Sequence, residues 1–443
     1  MSDLPNGGIP STLRQPHAPR FWFAIVLIGI GAGASAAALT LILQFVQRVM
    51  WPGSHETLLD AAIVASPWRH VAILVAAGML TGLGQIVLGR LSRSNSIDIT
   101  AAIWFFAGRM PALRTLGSAL LSVIVVGMGA SLGREGAPKQ AGAVIANALS
   151  DKSGFSDEQR RLLVACGAGA GMAAAYGVPL GGALFSLEVL RGMLALRLVL
   201  PALMTSVIAS AVAWLVLPDA PTYIQPAFTP SALILIFAAF VGVIAAFASV
   251  GFVRIIAIAD RNRPAGTWRL FAPVFVLGLL GIISIAQPQL LGNGKDIVQM
   301  ALMNQIAPVL LVALLILKPL ATICCLGSDV PGGLFTPSLA AGALLGSAIG
   351  QVCALIWPDA QPGLFALLGA GAFIAATTQG PISSVVLLIE LTGHDRSFIA
   401  PLIVAVVIAT LIARTIDPRS IYDARLTDQQ LQKRQELRDA NTR

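Results

Sequence analysis

The chain has 443 residues, of which 56% are hydrophobic and only 11% are charged, and its mean hydropathy is +0.82. Soluble globular proteins carry roughly 25% charged residues, so this composition excludes that class and predicts a protein that crosses a membrane many times. The net charge of +8 comes from basic residues spread over short loops and the C-terminal tail. That distribution is typical of the cytoplasmic loops of a membrane protein and argues against nucleic-acid binding.

Long apolar runs predict membrane helices, because a bilayer admits only helices and closed barrels and the alternating pattern of barrel strands is absent. In chain order the longer runs cover residues 21–47, 70–90, 115–131, 160–176, 195–217, 231–256, 270–287, 307–325, 338–357, 363–378 and 396–413. Other runs are shorter than the roughly 20 residues that a crossing needs. These shorter runs are 99–107, 140–149, 180–190, 297–304 and 381–391. Short helices interrupted by Gly or Pro are typical of transporters and channels.

Residues 163–190 and 365–392 are related by an internal repeat that aligns at one constant offset without gaps. Besides the Gly-Ala runs, the matched pairs are Pro179 with Pro381 and Glu188 with Glu390. Low-complexity sequence would not also place the proline and the glutamate. The chain therefore consists of two related halves, which in membranes often face opposite ways around a site near the midplane.

The predicted fold class is an all-α polytopic membrane protein built from two inverted-topology repeats of tilted and broken transmembrane helices. The boundaries are an N-terminal arm at 1–20, a first repeat at 21–217, a second repeat at 218–416 and a tail at 417–443. Basic residues in the arm and the tail predict that both termini are cytoplasmic. The four cysteines lie inside apolar runs without CxxC spacing, so we expect no metal and no cofactor.

Glycine-rich turns stand at equivalent points of the two halves, GREGAP at 133–138 and GGLFTP at 332–337. Helix N-termini that converge there would bind an anion with unpaired N–H groups and without a full positive charge. Glu135 is itself an anion that could occupy such a site and be displaced or protonated, which suits a gate. The alternative, left open by spacing alone, is that Glu135 pairs with Arg134 or Lys139 at a helix start.

These two turns resemble the second and third signature motifs, GREGP and GxFxP, of the CLC family of chloride channels and proton-coupled chloride antiporters. The resemblance extends over about residues 20–425 and includes the Gly-Ala stretch at 165–185. The short tail is similar to the bacterial branch that lacks C-terminal regulatory domains. The resemblance implies a non-enzymatic anion transporter of the bacterial plasma membrane, with chloride as substrate and a homodimer with one pore per subunit.

Position by position, the resemblance makes Glu135 the gating glutamate. It implies that the backbone amides of Leu334 and Phe335 hold the central anion together with the hydroxyl of Tyr422. Without the resemblance, Tyr422 would be interpreted as an interfacial aromatic anchor. The resemblance further implies that Arg134, Gly136 and Gly333 surround the pore.

Three departures from the family pattern affect the prediction. The first motif, GSGIP, is reduced to SNSID at 94–98, so that Asn95 takes the place of a serine lining the inner anion site. GREGP has become GREGA, with the proline one position later. The inner proton-relay glutamate of the antiporters aligns with Val189, which cannot carry a proton, and this favours a passive channel over the alternative antiporter.

Other charged residues in apolar surroundings are expected to be structural. Glu188 and Glu390 would cap or pair, Lys318 would meet a carboxylate or carbonyls, and Asp329 would cap the helix that starts near Gly333. An intramembrane enzyme and a cation transporter are further alternatives. The first would need a nucleophile–His pair or metal ligands, and the second would need carboxylates at the broken helices. Chloride, nitrate and fluoride all remain open as the anion.

Overall fold

A computed structural model describes residues 18–51, 53, 57–92, 97–228, 231–393, 397–423, 426–427, 429–434 and 436. In the first half, the helices are α1 (Ala18–Met50), α2 (Leu58–Val64), α3 (Pro67–Leu91), α4 (Ile99–Phe105), α5 (Ala112–Gly127), α6 (Gly136–Ser153), α7 (Asp157–Tyr176), α8 (Pro179–Phe185) and α9 (Leu196–Ala213). In the second half, they are α10 (Ala232–Arg261), α11 (Trp268–Ala286), α12 (Lys295–Leu302), α13 (Pro308–Gly327), α14 (Phe335–Ala354), α15 (Pro362–Thr378), α16 (Pro381–Leu391) and α17 (Ile399–Ile416).

The described part of the chain is helical, as the apolar runs predict, and eight of its helices are long and apolar enough to cross a membrane. Every predicted run corresponds to a helix, with ends that shift by a few residues. Two differences are larger. The run at 140–149 belongs to the longer helix α6, because Lys139, the charged residue just before the run, is buried within the helix rather than excluded from it. The run at 180–190 divides into α8 and a π-helical turn, Ser186–Arg191.

Glycines allow close packing of corresponding helix pairs in the two halves. Helices α6 and α7 approach so closely that a Cβ on Gly142 or on Gly167 would overlap the carbonyl oxygen of the other. Gly342 and Gly369 make the same reciprocal contact between α14 and α15. Without a hydrophobic driving force in lipid, such close contacts between small residues are a main source of helix association.

Two glutamates tie the halves together at the starts of α8 and α16. Glu188 accepts hydrogen bonds from the backbone N–H groups of Ile382 and Ser383 at 3.1 and 2.6 Å. Glu390 accepts them from Leu180 and Gly181 at 3.0 and 2.7 Å. The expectation that these glutamates cap helices is confirmed, and each one caps the short helix of the other half.

The glycine contacts predict a position-specific loss of stability. Gly167→Ala places a methyl group against the carbonyl of Gly142, so we expect the thermal unfolding temperature of the purified protein to fall by several degrees. Gly251→Ala is the matched control, because that glycine also lies inside a helix but has open space around its Cβ position. Alanine favours helices over glycine by about 1 kcal/mol, so the control should be neutral or slightly stabilising. Equal melting temperatures for the two variants would contradict the packing argument.

Candidate functional site

The two glycine-rich turns meet backbone to backbone at the centre of the molecule. The N–H of Gly133 donates to the carbonyl of Gly333 at 2.7 Å, and the N–H of Gly333 donates to the carbonyl of Gly133 at 2.7 Å. This pairing places the first turns of α6 and α14 side by side. The free N–H groups and the positive dipole ends of both helices therefore point toward one region.

The carboxylate of Glu135 lies in that region and is fully buried. Its Oε1 accepts a hydrogen bond from the backbone N–H of Phe335 at 2.6 Å. Its Oε2 accepts bonds from the hydroxyls of Thr336 at 3.2 Å and Tyr176 at 3.4 Å. Among the described residues no cation forms an ion pair with this carboxylate, so pairing with Arg134 or Lys139 is not what holds it. Neutral donors therefore hold the carboxylate group, which is the arrangement that an anion site requires.

The glycines of the two turns leave the space that the carboxylate fills. A Cβ on Gly133 or on Gly333 would overlap the carboxylate oxygens of Glu135. Gly333, expected near the pore, is therefore in contact with the gate candidate. Any larger residue at either position would force Glu135 out of its present place.

Two cavities border the turn that contains Glu135. The first, which we call the Arg134 cavity, has a volume of about 450 Å³ and is lined by Arg48, Arg134, Lys295 and Asp296 among others. The second, the Tyr422 cavity, has about 60 Å³ and is lined by residues that include Gly136, Leu334 and Tyr422. Arg134 lines one cavity and Gly136 lines the other, so the two residues that flank Glu135 in the chain face different cavities.

Tyr422 lies on a segment that is anchored beside the end of α17. Asp417 forms ion pairs with Arg419 at 2.6 Å and Arg254 at 3.1 Å. Hydrogen bonds from these arginines, chiefly Arg419, lower the pKa of Asp417 to about 2, so the pairs persist at neutral pH. The Tyr422 ring packs edge-on against Phe185, with centroids 5.6 Å apart. Tyr422 thus faces a cavity of the candidate site, whereas Asn95 lies outside the described residues.

Val189, the expected relay position, is buried and offers only an apolar side chain. Its carbonyl accepts a hydrogen bond from Arg434 at 3.4 Å. Arg434 also forms an ion pair with Asp423 and lies over the Trp104 ring, 5.0 Å from the ring centroid. Arg434 of the tail therefore lies beside Val189, and the Glu188 carboxylate caps the start of α16.

Two other charged residues have structural partners. Lys318 is fully buried and donates to the hydroxyl of Ser131 at 2.9 Å and to the carbonyls of Leu290 and Gly292 at 3.0 and 2.8 Å. It thereby fixes the loop that precedes Glu135. The expectation for Asp329 is wrong, because this residue has a left-handed backbone (φ 69°) and pairs with Arg263 at 3.0 Å. It lies before the helix start without capping it, since the N-cap of α14 is Leu334.

Sequence reasoning missed Tyr176 and Thr336, although both hydroxyls contact Glu135. The two hydroxyls also lie 2.7 Å apart, and the guanidinium of Arg134 covers the Tyr176 ring, 4.8 Å from the ring centroid. A signal was present, since Tyr176 interrupts a Gly-Ala run in a chain with only three tyrosines. Its contact with α14 depends on tertiary packing, which local patterns do not reveal.

The sequence of this chain is similar to those of a known protein family. The sequence profile of the family described as "Voltage gated chloride channel" matches residues 91–414. The Voltage-gated ClC-type chloride channel ClcB of Escherichia coli is 31% identical over 379 residues, which cover 83% of this chain and 89% of that protein.

Solved structures share the fold. The structure of a slow cyanobacterial Cl⁻/H⁺ antiporter has a TM-score of 0.79 at 22% identity, covering 91% of this chain and 96% of that one. A CLC-type fluoride/proton antiporter has a TM-score of 0.70 at 21% identity, covering 93% and 99%. The matched profile and the similarity to ClcB together identify this chain as a multi-pass membrane protein of the CLC family.

Proposed function

We propose that this protein transports chloride or a similar anion across the membrane along a pathway that Glu135 closes. The observation that carries the proposal is the buried Glu135 carboxylate on the Phe335 amide, with its chain neighbours Arg134 and Gly136 lining two different cavities. The similarity to ClcB, whose name describes a chloride channel, supports chloride as the anion. Members of this family are transporters or channels, so the enzyme alternative has no support.

In this proposal, Glu135 and the transported anion compete for the same donors. Protonation or displacement of the carboxylate frees the N–H of Phe335 and the hydroxyls of Thr336 and Tyr176 for the anion. These donors are neutral, so they bind an anion firmly enough for entry and weakly enough for release. The backbone amides of Leu334 and Phe335 and the hydroxyl of Tyr422 are proposed to hold the central anion, and Asn95 is proposed to line the site on its inner side.

Proton-coupled exchange is the form of transport that we favour. The group that blocks the anion site is a carboxylate, so one residue can bind a proton where it also excludes the anion. Two proteins of the same fold are described as a Cl⁻/H⁺ antiporter and a fluoride/proton antiporter. Both observations support the antiporter over the passive channel that Val189 favours.

A passive channel is the second candidate, and a specific contact supports it. The apolar side chain of Val189 is buried, and Arg434 of the tail occupies its carbonyl. An alkyl side chain at this point offers no group that could accept a proton or pass it on. An antiporter would therefore need a proton route that bypasses Val189.

The assembly and orientation are also proposals. We infer a homodimer with one pore per subunit in a bacterial plasma membrane, with both termini in the cytoplasm. In this orientation the Tyr422 cavity is the inner mouth and the Arg134 cavity is the outer mouth. Arg48, Arg134 and Lys295 would then attract anions to the outer mouth.

Replacing the gate tests its role directly. Glu135→Gln keeps the size of the side chain but cannot ionise, so we expect anion flux into proteoliposomes to lose its dependence on pH. Glu436→Gln is the control, because this exposed tail carboxylate lies outside the site and an amide oxygen can still accept its hydrogen bond from Gln432. The control should retain the pH dependence of the native protein. Persistent pH dependence in Glu135→Gln would show that the gate lies elsewhere.

The reversal potential distinguishes the two forms of transport. Purified protein in liposomes is placed under a chloride gradient, with and without an opposing pH gradient. For an exchanger we expect the reversal potential to shift when the pH gradient is applied, because anions and protons then move in opposite directions in a fixed ratio. A potential that follows chloride alone would reject proton coupling and support the channel.

A further inference from the structure

Lys139 is a buried cation on the same helix as the gate. It lies on α6 one turn after Glu135, and its backbone N–H reaches the carbonyl of Glu135 at 3.4 Å. Only 5% of the residue is exposed. A lysine is almost never this buried unless its ammonium has a structural or functional partner.

The Lys139 ammonium lies beside Tyr422, which the proposed function assigns to the anion site. Lys139 Nζ donates to the hydroxyl of Tyr422 at 3.3 Å. It also lies 4.8 Å from the centroid of the Tyr422 ring and 5.1 Å from that of Phe185. Aromatic faces stabilise a cation in a desolvated position such as this one.

The Tyr422 cavity next to Lys139 has the size and chemistry of an ion site. Its volume of about 60 Å³ suits one partly dehydrated anion, since a water molecule occupies about 30 Å³ in the liquid. Backbone of Gly333 and Leu334, the hydroxyl-bearing ring of Tyr422 and Lys139 all line it. Asp98 is a carboxylate of the lining, and it accepts the N–H of Thr100 at the start of α4 at 2.9 Å.

We propose that Lys139 is an anion-coordinating residue of the Tyr422 cavity, where its ammonium and the Tyr422 hydroxyl bind the transported anion together. This inference rests on the proposed function and adds a residue that neither the family motifs nor the resemblance assigns. It adds a full positive charge to an anion site whose other proposed donors are neutral.

A full charge changes both affinity and rate. A charge-assisted hydrogen bond is roughly twice as strong as a neutral one, so the anion should occupy the inner site at low concentration and leave it slowly. Removal of the charge should therefore weaken binding without slowing maximal transport. A lysine with a purely structural role would instead lower the maximal rate and leave half-saturation unchanged.

The test combines equilibrium binding with transport. Chloride binding to detergent-purified full-length protein is measured by calorimetry, and chloride flux is measured in liposomes over a range of chloride concentrations. For Lys139→Met we expect the dissociation constant and the half-saturating concentration to rise about ten-fold or more, with no fall in maximal rate. Lys139→Arg, which retains the charge, should stay within about three-fold of the native protein.

The controls separate this proposal from the function on which it rests. Lys152→Met removes an exposed lysine from the last turn of the same helix and should leave both quantities unchanged. If Lys139→Met does not purify as a folded protein, Lys139→Gln tests the same expectation. If the Lys139→Met and Lys139→Gln variants bind chloride with the affinity of the native protein, the role of Lys139 is overturned and the proposed function is not. Absence of chloride binding and flux in the native protein would overturn the proposed function as well.

Discussion

The reciprocal hydrogen bonds between Gly133 and Gly333 are the constraint on which the site depends. They bring one turn from each half to the same place, and no side chain could be present at either glycine without displacing Glu135. Two helix starts then share a small volume from which water is excluded. In this low-dielectric setting, backbone N–H groups interact with a negative charge much more strongly than in water.

Several buried charged side chains of this protein have backbone groups or hydroxyls as hydrogen-bond partners rather than opposite charges. Glu188 and Glu390 bond to backbone N–H groups, and Lys318 bonds to carbonyls and a hydroxyl. A buried ion pair would cost the desolvation of two charges, whereas helix ends have polar groups that are unpaired in any case. Ion pairs concentrate instead near helix ends and loops, as with Asp417 and Asp329.

Most of the helices could be predicted from the sequence, because apolar runs in a membrane protein map directly onto helices. The start of α6 could not, since Lys139 is buried by tertiary contacts that hydropathy does not register. Glu135 and its position near Phe335 followed from the two glycine-rich motifs. The roles of Tyr176 and Lys139 required knowledge of which distant segments meet, and the left-handed backbone of Asp329 required the loop geometry.

The exchange of helix caps between Glu188 and Glu390 has an evolutionary consequence. Each half contains a carboxylate whose partners belong to the other half, so a half expressed alone would expose an unsatisfied charge within the bilayer. An ancestor with a single copy of the repeat could have satisfied this glutamate only by pairing with a second, identical chain. Within one polypeptide the reciprocal arrangement means that a change at either glutamate must remain compatible with the helix start in the opposite half.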